Sequence, residues 1–275
     1  MNILVALDSN YVKPLRIMLK SLFFNNPQEK FTIYLMHSTL LKQKELVELF
    51  TFIKNEGNSL EEVYINDNYF KDAPVNLHFS KEMYYRLLAF KFLPQNLERV
   101  LYLDPDILIL NSIKSLYELE MKDYLYAATC HNMSFIREIN KIRLKPYEID
   151  EYYNSGVLLM NLGLQRQVLH EDDIYEFIDN NQLKLIMPDQ DVLNALYPKK
   201  IKGLDRKIYN YDARRYLYYK LTTDGKWNMD NVIRNTVVLH FCGRKKPWQE
   251  SYTGTFHSLY KHYEKLTFPI HALSN

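Results

Sequence analysis

Cysteine and glycine are scarce: two and seven, respectively, in 275 residues. Cys130 and Cys242 lie far apart and each borders an apolar run. That placement favours two free, buried thiols of a reducing compartment over a disulfide framework or a C-x-x-C centre. Few glycines also means no G-x-G-x-x-G or Walker loop, so a bound nucleotide would be held by its base rather than cradled by glycine backbone. An excess of one charge is missing too. The 35 basic and 33 acidic residues leave a net charge of +2, which argues against a nucleic-acid binder driven by phosphate neutralisation. No apolar run approaches the roughly 18 residues of a membrane-spanning helix, and the opening MNILVALDSNY lacks a basic segment ahead of a long apolar one. These absences predict a cytoplasmic chain. What is abundant is aromatic: 23 tyrosines and 14 phenylalanines. The length suits one α/β domain over residues 1–275, with 249–275 as an amphipathic closing helix. That helix also offers a surface for peripheral contact with the inner face of a membrane.

The chemistry concentrates at 99–110, RVLYLDPDILIL. An apolar run bounded by polar and turn residues suits an interior strand of a mostly parallel sheet. It ends in Asp104 and Asp106. Side chains alternate along extended backbone and Pro105 restrains Asp104 toward that conformation, so both carboxylates are expected on one face. Like charges so close repel, and burial raises their pKa values unless a cation neutralises them. A divalent metal answers this; the plain alternative is that one Asp caps a turn.

The N-terminal part alternates strand and helix. NILVAL at 2–7 reads as a strand and VKPLRIMLKSLFFNN after it as a helix with Pro14 in its first turn; strands at 31–36 and 63–65 flank a helix over 42–54. This βαβαβ order predicts a Rossmann-like half, and it places Asp8, Ser9, Asn10 and Tyr11 at the carboxyl end of a parallel strand, where open α/β sheets bind ligands. There Asp8 or Ser9 serves equally as a helix cap. KEMYYRLLAFKFL at 81–93 is predicted as a helix capped by Ser80; its Arg86 is either a structural ion-pair partner or a ligand for an anion. A strand over 124–129 runs into Cys130, His131 and Asn132, and the charged stretch 138–151 is expected to be a mobile loop. Asn154, Ser155 and Gly156 sit at the mouth of a strand over 153–162, and Pro188, Asp189, Gln190 and Asp191 open a helix whose acids suit both the helix dipole and a sugar hydroxyl. The Tyr- and Arg-rich 206–219 reads as a surface or interface helix. A last strand, 236–241, ends at His240 before the basic loop Cys242 to Trp248. Two acids with one imidazole favour Mn²⁺ over Mg²⁺, and Lys246 is placed to meet a phosphate as a point charge.

VALDSNY at 5–11, YLDPDILIL at 102–110, NSGVLLMNL at 154–162 with PDQDVLN at 188–194, and HFCGRKKPW at 240–248 together resemble glycosyltransferase family 8 over nearly the whole chain. The bacterial lipooligosaccharide α-galactosyltransferases are its best-known branch and glycogenin a more distant relative. The resemblance implies the GT-A nucleotide-diphospho-sugar transferase fold and metal-dependent transfer of glucose or galactose from a UDP-sugar to a hydroxyl of a saccharide or glycoconjugate, giving an α-linkage with retention. Position by position it implies that Ala6, Asp8, Asn10 and Tyr11 hold uridine, with Tyr11 against the uracil. Asp104, Asp106 and His240 would bind Mn²⁺, with Mg²⁺ as the alternative, and Pro105, Gly243 and Lys246 would line the diphosphate. Arg86, Asn154, Asp189 and Gln190 would surround the transferred sugar, and His78 would border the acceptor. Where members of the family often carry an acid after Cys130, this chain has His131 and Asn132. The competing readings are a haloacid-dehalogenase-like phosphatase, which also places D-x-D after an apolar strand, and a non-catalytic sugar-nucleotide-binding scaffold.

Overall fold

The computed structural model describes residues 1–74, 81–130 and 134–269. The expected roles of His78, Ser80, His131 and Asn132 fall outside them.

Seven strands form the main sheet in the order β3-β2-β1-β4-β7-β6-β8: β1 Asn2–Ala6, β2 Thr32–His37, β3 Ser59–Tyr64, β4 Arg99–Leu103, β6 Tyr126–Thr129, β7 Val157–Asn161 and β8 Ile201–Leu204. A smaller sheet has the order β5-β10-β9, formed by β5 Ile107–Ile109, β9 Tyr211–Asp212 and β10 Val238–His240. The N-terminal half is the parallel β-α-β-α-β unit read from the sequence, with helices Val12–Asn25 and Gln43–Asn55 between its strands. Helices flank the main sheet, giving the expected α/β, mostly parallel architecture.

Continuous apolar runs form the central strands because both faces are covered. Leu4, Val100, Tyr102, Leu158 and Met160 pack on one side. Ile3, Val5, Leu101, Leu103, Val157 and Leu159 pack on the other. A third cluster, including Ile17, Leu108, Tyr211, Leu239, Phe241 and Tyr260, joins the small sheet to the C-terminal helix His257–Thr267. Residues 249–256 precede that helix as turns.

Two topological facts place the site. The chain order reverses between β1 and β4, which pair in parallel, so their carboxyl ends open a crevice at the switch point. In addition, β7 alone in the main sheet runs against its neighbours, pairing antiparallel with both β4 and β6. Its beginning therefore lies beside the end of β4, with Val157 opposite Leu103. Asn154, Ser155 and Gly156 reach the crevice only because of that reversal.

Three expectations are corrected. The 138–151 stretch is a loop only in part: a helix spans Ser134–Arg143, and the turns and bends over 144–151 are anchored by Leu144 and Ile149, which are buried in the core. Arg143 donates to both carboxylate oxygens of fully buried Asp191, at 2.8 and 2.6 Å. The 206–219 segment is not one surface helix. A short helix Arg206–Tyr209 yields to β9, a 3-10 turn Ala213–Arg215 and helix Tyr216–Thr222, with Asn210, Tyr211 and Asp212 buried. Tyr211 and Tyr219 are buried in the third cluster with Tyr216 packed against it, so β pairing overrides the helical reading. The helix expected over 81–93 is broken into Glu82–Tyr85, a 3-10 turn Arg86–Leu88 and Ala89–Phe92.

Asp191 ties this region together. Besides Arg143, it accepts the Tyr152 hydroxyl at 2.5 Å and the backbone N–H groups of Ile186 and Met187 at 2.9 and 3.1 Å, just ahead of helix Pro188–Leu196. Removing one partner of a buried ion pair strands the other, so Asp191→Ala should destabilise the fold by about 3–5 kcal/mol. Thermal denaturation measures this, and an unchanged melting temperature would refute the anchoring role.

Candidate active site

The D-x-D turn bridges the two sheets. Asp104 N–H donates to the Gly156 carbonyl at 2.8 Å, the last link to β7; the Asp106 carbonyl accepts from Phe241 N–H at 3.0 Å, next to the first pair of β5 with β10. Pro105, buried and without an N–H, sits where the chain leaves one sheet for the other. The carboxylates converge through this turn, not through the strand alternation expected for extended backbone.

Antiparallel pairing of β10 with β5 sets His240 opposite Ile107. Its Nε2 lies 3.3 Å from Asp106 Oδ1 and 4.0 Å from Asp104 Oδ2. Candidate ligand atoms of Asp104, Asp106 and His240 all lie within 4.8 Å of one another. Gly156 makes the space: a Cβ there would come within 2.5 Å of both Asp104 Oδ2 and His240 Cε1.

Cations answer the crowded acids. Lys246 Nζ donates to Asp106 and, at 3.0 Å, to the Phe241 carbonyl. Burial opposes ionisation of Asp106, but Lys246 and His240 hold its carboxyl well below the usual range. Burial likewise disfavours the imidazolium, yet Cys242 and Asp106 hold His240 well above its ordinary pKa. Arg86 is buried over the Tyr102 ring, 4.1 Å from its centroid. Its Nη1 meets Asp104 at 3.0 Å, Asp189 at 3.3 Å and the Ser155 carbonyl at 2.9 Å. The sequence left Arg86 between ion-pair and anion-binding readings; the structure shows the ion pairs. Burial pushes the Asp189 carboxyl up, with Arg86 opposing.

A chain of amides then links the imidazole to Gln190. Asn154 Oδ1 accepts from Gly156 N–H at 3.0 Å, and a backbone N–H can only donate, so the orientation of the Asn154 amide follows. Its Nδ2 donates to Gln190 Oε1 at 3.0 Å, which also accepts Ser155 N–H at 3.3 Å. Asn210 Nδ2 donates to Asn154 Oδ1 at 2.7 Å, which turns Asn210 Oδ1 toward His240 Nδ1 at 2.9 Å. His240 Nδ1 must therefore carry the proton and donate it, leaving Nε2 to face the carboxylates. Sequence reasoning missed Asn210; its one available signal was a polar residue between Tyr209 and Tyr211, where packing would favour an apolar one.

Two carboxylates, one imidazole with a fixed tautomer and a space cleared by Gly156 fit a divalent ion. The cluster recruits the positive charge of Lys246 and His240; an ion held by Asp104, Asp106 and His240 would supply that charge in their place.

The other expected residues surround this centre. Asp8 caps a 3-10 turn Ser9–Tyr11 after β1, its Oδ1 accepting the N–H of Asn10 within the turn at 2.8 Å. Half-buried Tyr11 meets Trp248 edge-on at 5.7 Å and lies within the fields of Lys246, Asp106 and Asp104. Ala6 is buried at the end of β1, and Gly243 is in the loop after β10. The two acids flanking Gln190 part company: Asp189 faces Arg86 and the crevice, Asp191 faces the core. Both cysteines are free thiols, half-buried rather than buried.

A D-x-D turn, an imidazole and a lysine thus meet at the switch point of an α/β sheet, and the two acids and the imidazole form a candidate metal-binding group. Residues 2–251 match the profile of glycosyl transferase family 8, and the chain belongs to that family. It is 29% identical over 255 residues to the lipopolysaccharide 1,2-glucosyltransferase of Escherichia coli, covering 90% of this chain and 73% of that protein. It is 26% identical over 279 residues to general stress protein A of Bacillus subtilis, covering 97% and 94%. Its fold superposes on galactosyltransferase LgtC, crystallised in complex with donor and acceptor sugar analogs, with a TM-score of 0.84 at 21% identity, covering 98% of this chain and 97% of that one. The fold is therefore the GT-A fold that the sequence motifs implied.

Partners that orient a ligating histidine typically control metal affinity by about 10- to 100-fold. Asn210→Ala should weaken Mn²⁺ binding by that factor, read by electron paramagnetic resonance of free Mn²⁺, while Gly156→Ala should abolish it. Mn²⁺ affinity unaltered in both variants would refute this description of the site.

Proposed function

We propose that the protein is a retaining, Mn²⁺-dependent hexosyltransferase that moves glucose or galactose from a UDP-sugar to a hydroxyl of a saccharide or glycoconjugate, forming an α-linkage. The observation that carries this reading is the Asp104–Asp106–His240 cluster, wired through Asn210 and Asn154 to Gln190. Tyr11, Asp8, Asn10 and Ala6 at the end of β1 are assigned to uridine, and Pro105, Gly243 and Lys246 to the diphosphate.

A divalent ion held by Asp104, Asp106 and His240 would offset the charge that grows on the departing UDP. Lys246, already drawn to Asp106, can share its charge with the β-phosphate. Arg86 holds Asp104 and Asp189 in place, so Asp189 can read a sugar hydroxyl without turning away. Gln190 Oε1 accepts two hydrogen bonds, which makes it a poor nucleophile and a well-held dipole. Attack of the acceptor on the same face from which UDP leaves, past an oxocarbenium-like state beside Gln190, therefore suits this site better than double displacement through a covalent intermediate. Family membership favours this activity over the phosphatase reading. The glucosyl- and galactosyltransferase relatives support a hexose donor and a lipopolysaccharide-like acceptor, with surface-glycan assembly on the cytoplasmic side of the membrane as the setting. No helix among the described residues is long and apolar enough to cross a membrane.

Calorimetry of UDP binding with Mn²⁺ and with EDTA tests the donor site. Binding should need the metal and be lost in Asp106→Asn; equal binding with and without metal, or none at all, would overturn the reading. In the active enzyme, Gln190→Ala should lower kcat by about 10²-fold, the scale of losing one positioned electrostatic group, with donor KM changed only a few-fold. A mere few-fold loss of kcat would remove Gln190 from the reacting centre.

A further inference from the structure

Beside the metal centre, the loop after β10 also walls a second cavity of about 400 Å³, lined by Arg214, Arg244, Lys245, Tyr252, Thr253 and Thr255 with Cys242, Gly243 and Gly254. Asp104, Asp106, His240 and Lys246 do not line it. It nonetheless adjoins them, since Cys242 and Gly243 belong to the short loop that joins His240 to Lys246. Three cations and no carboxylate line this cavity among the described residues. Arg214 is held by Asp212 through Nε at 2.9 Å and Nη2 at 2.7 Å, and its Nη1 lies where a Gly243 Cβ would come within 2.6 Å. The Tyr252 hydroxyl lies over Gly254 in the same way, 2.2 Å from a Cβ built there. Both glycines thus make room for the polar heads of the wall. Arg244 and Lys245 are exposed and have no ion pair among the described residues.

A clamp for the diphosphate alone would need only cations. This wall adds an aromatic ring and three hydroxyls, the groups that read a sugar, and its volume falls in the roughly 300–1,000 Å³ range of small-molecule sites. We infer that the cavity receives the acceptor, and that the acceptor is an anionic saccharide whose phosphate or carboxylate group pairs with Arg244 and Lys245. This inference rests on the glycosyltransferase reading and adds the acceptor's chemical class. Arg214, fixed by Asp212, presents the preformed part of the anion site, and the two flexible cations close on it.

The test titrates the full chain, saturated with Mn²⁺ and UDP, with glucose 6-phosphate, glucuronic acid and methyl glucoside. At least one anionic sugar should bind tenfold or more tightly than methyl glucoside, with the advantage shrinking as salt rises. The double variant Arg244→Gln/Lys245→Gln should reduce that advantage to less than twofold and leave UDP affinity within twofold of wild type. Three results would overturn the inference: no preference for either anionic sugar in the wild type, a tenfold loss of UDP affinity in the variant, or inorganic phosphate binding as tightly as glucose 6-phosphate. The wild-type UDP titration is read first. If UDP fails to bind, the donor reading falls, and the same sugars titrated into the UDP-free protein decide the cavity by the same tenfold criterion.

Discussion

Two carboxylates held a few ångströms apart repel, and the rest of the crevice is arranged around that repulsion. Asp104 ends a strand of the large sheet and Asp106 begins the path into the small one, so neither can retreat without breaking a backbone link between β4 and β7 or between β5 and β10. The fold compels the acids to stay close. Positive charge then has to come to them, and Lys246, His240 and Arg86 converge on the pair from a loop, a strand and a broken helix. A site that concentrates negative charge and draws in cations is suited to a divalent ion.

The amide chain from His240 to Gln190 makes this arrangement directional. Backbone N–H groups of Gly156 and Ser155 determine which way Asn154 and Gln190 point, and Asn210 passes that orientation to the imidazole. The imidazole nitrogen that faces the carboxylates and the Gln190 amide are thereby set by one small piece of backbone, the start of β7. Such coupling favours preorganisation, because no group in the chain can turn without leaving a buried polar atom unpaired.

The helix Pro188–Leu196 shows how one short motif divides its duties. Asp189 and Gln190 face the crevice, while Asp191 is turned to Arg143, Tyr152 and the backbone ahead of the helix. A buried ion pair on the far side holds the functional side in register. The stretch that looked like a charged loop supplies Arg143, so a segment remote in sequence stabilises the residues that face the crevice.

The sequence by itself determined the strand–helix alternation of the first half, the buried runs of β1, β4 and β7, and the pair of close carboxylates, because hydrophobic periodicity and the chemistry of adjacent acids are local properties. Its motifs also sufficed to indicate the family. Tertiary structure alone decided that β7 runs backwards, that 206–219 contributes a strand and buries Asn210, that 138–151 packs through Arg143, and that the D-x-D residues meet across a turn between two sheets. Each depends on partners distant in the chain. Strand direction and the burial of a tyrosine-rich segment are set by what packs against them, and no local pattern of residues carries that information.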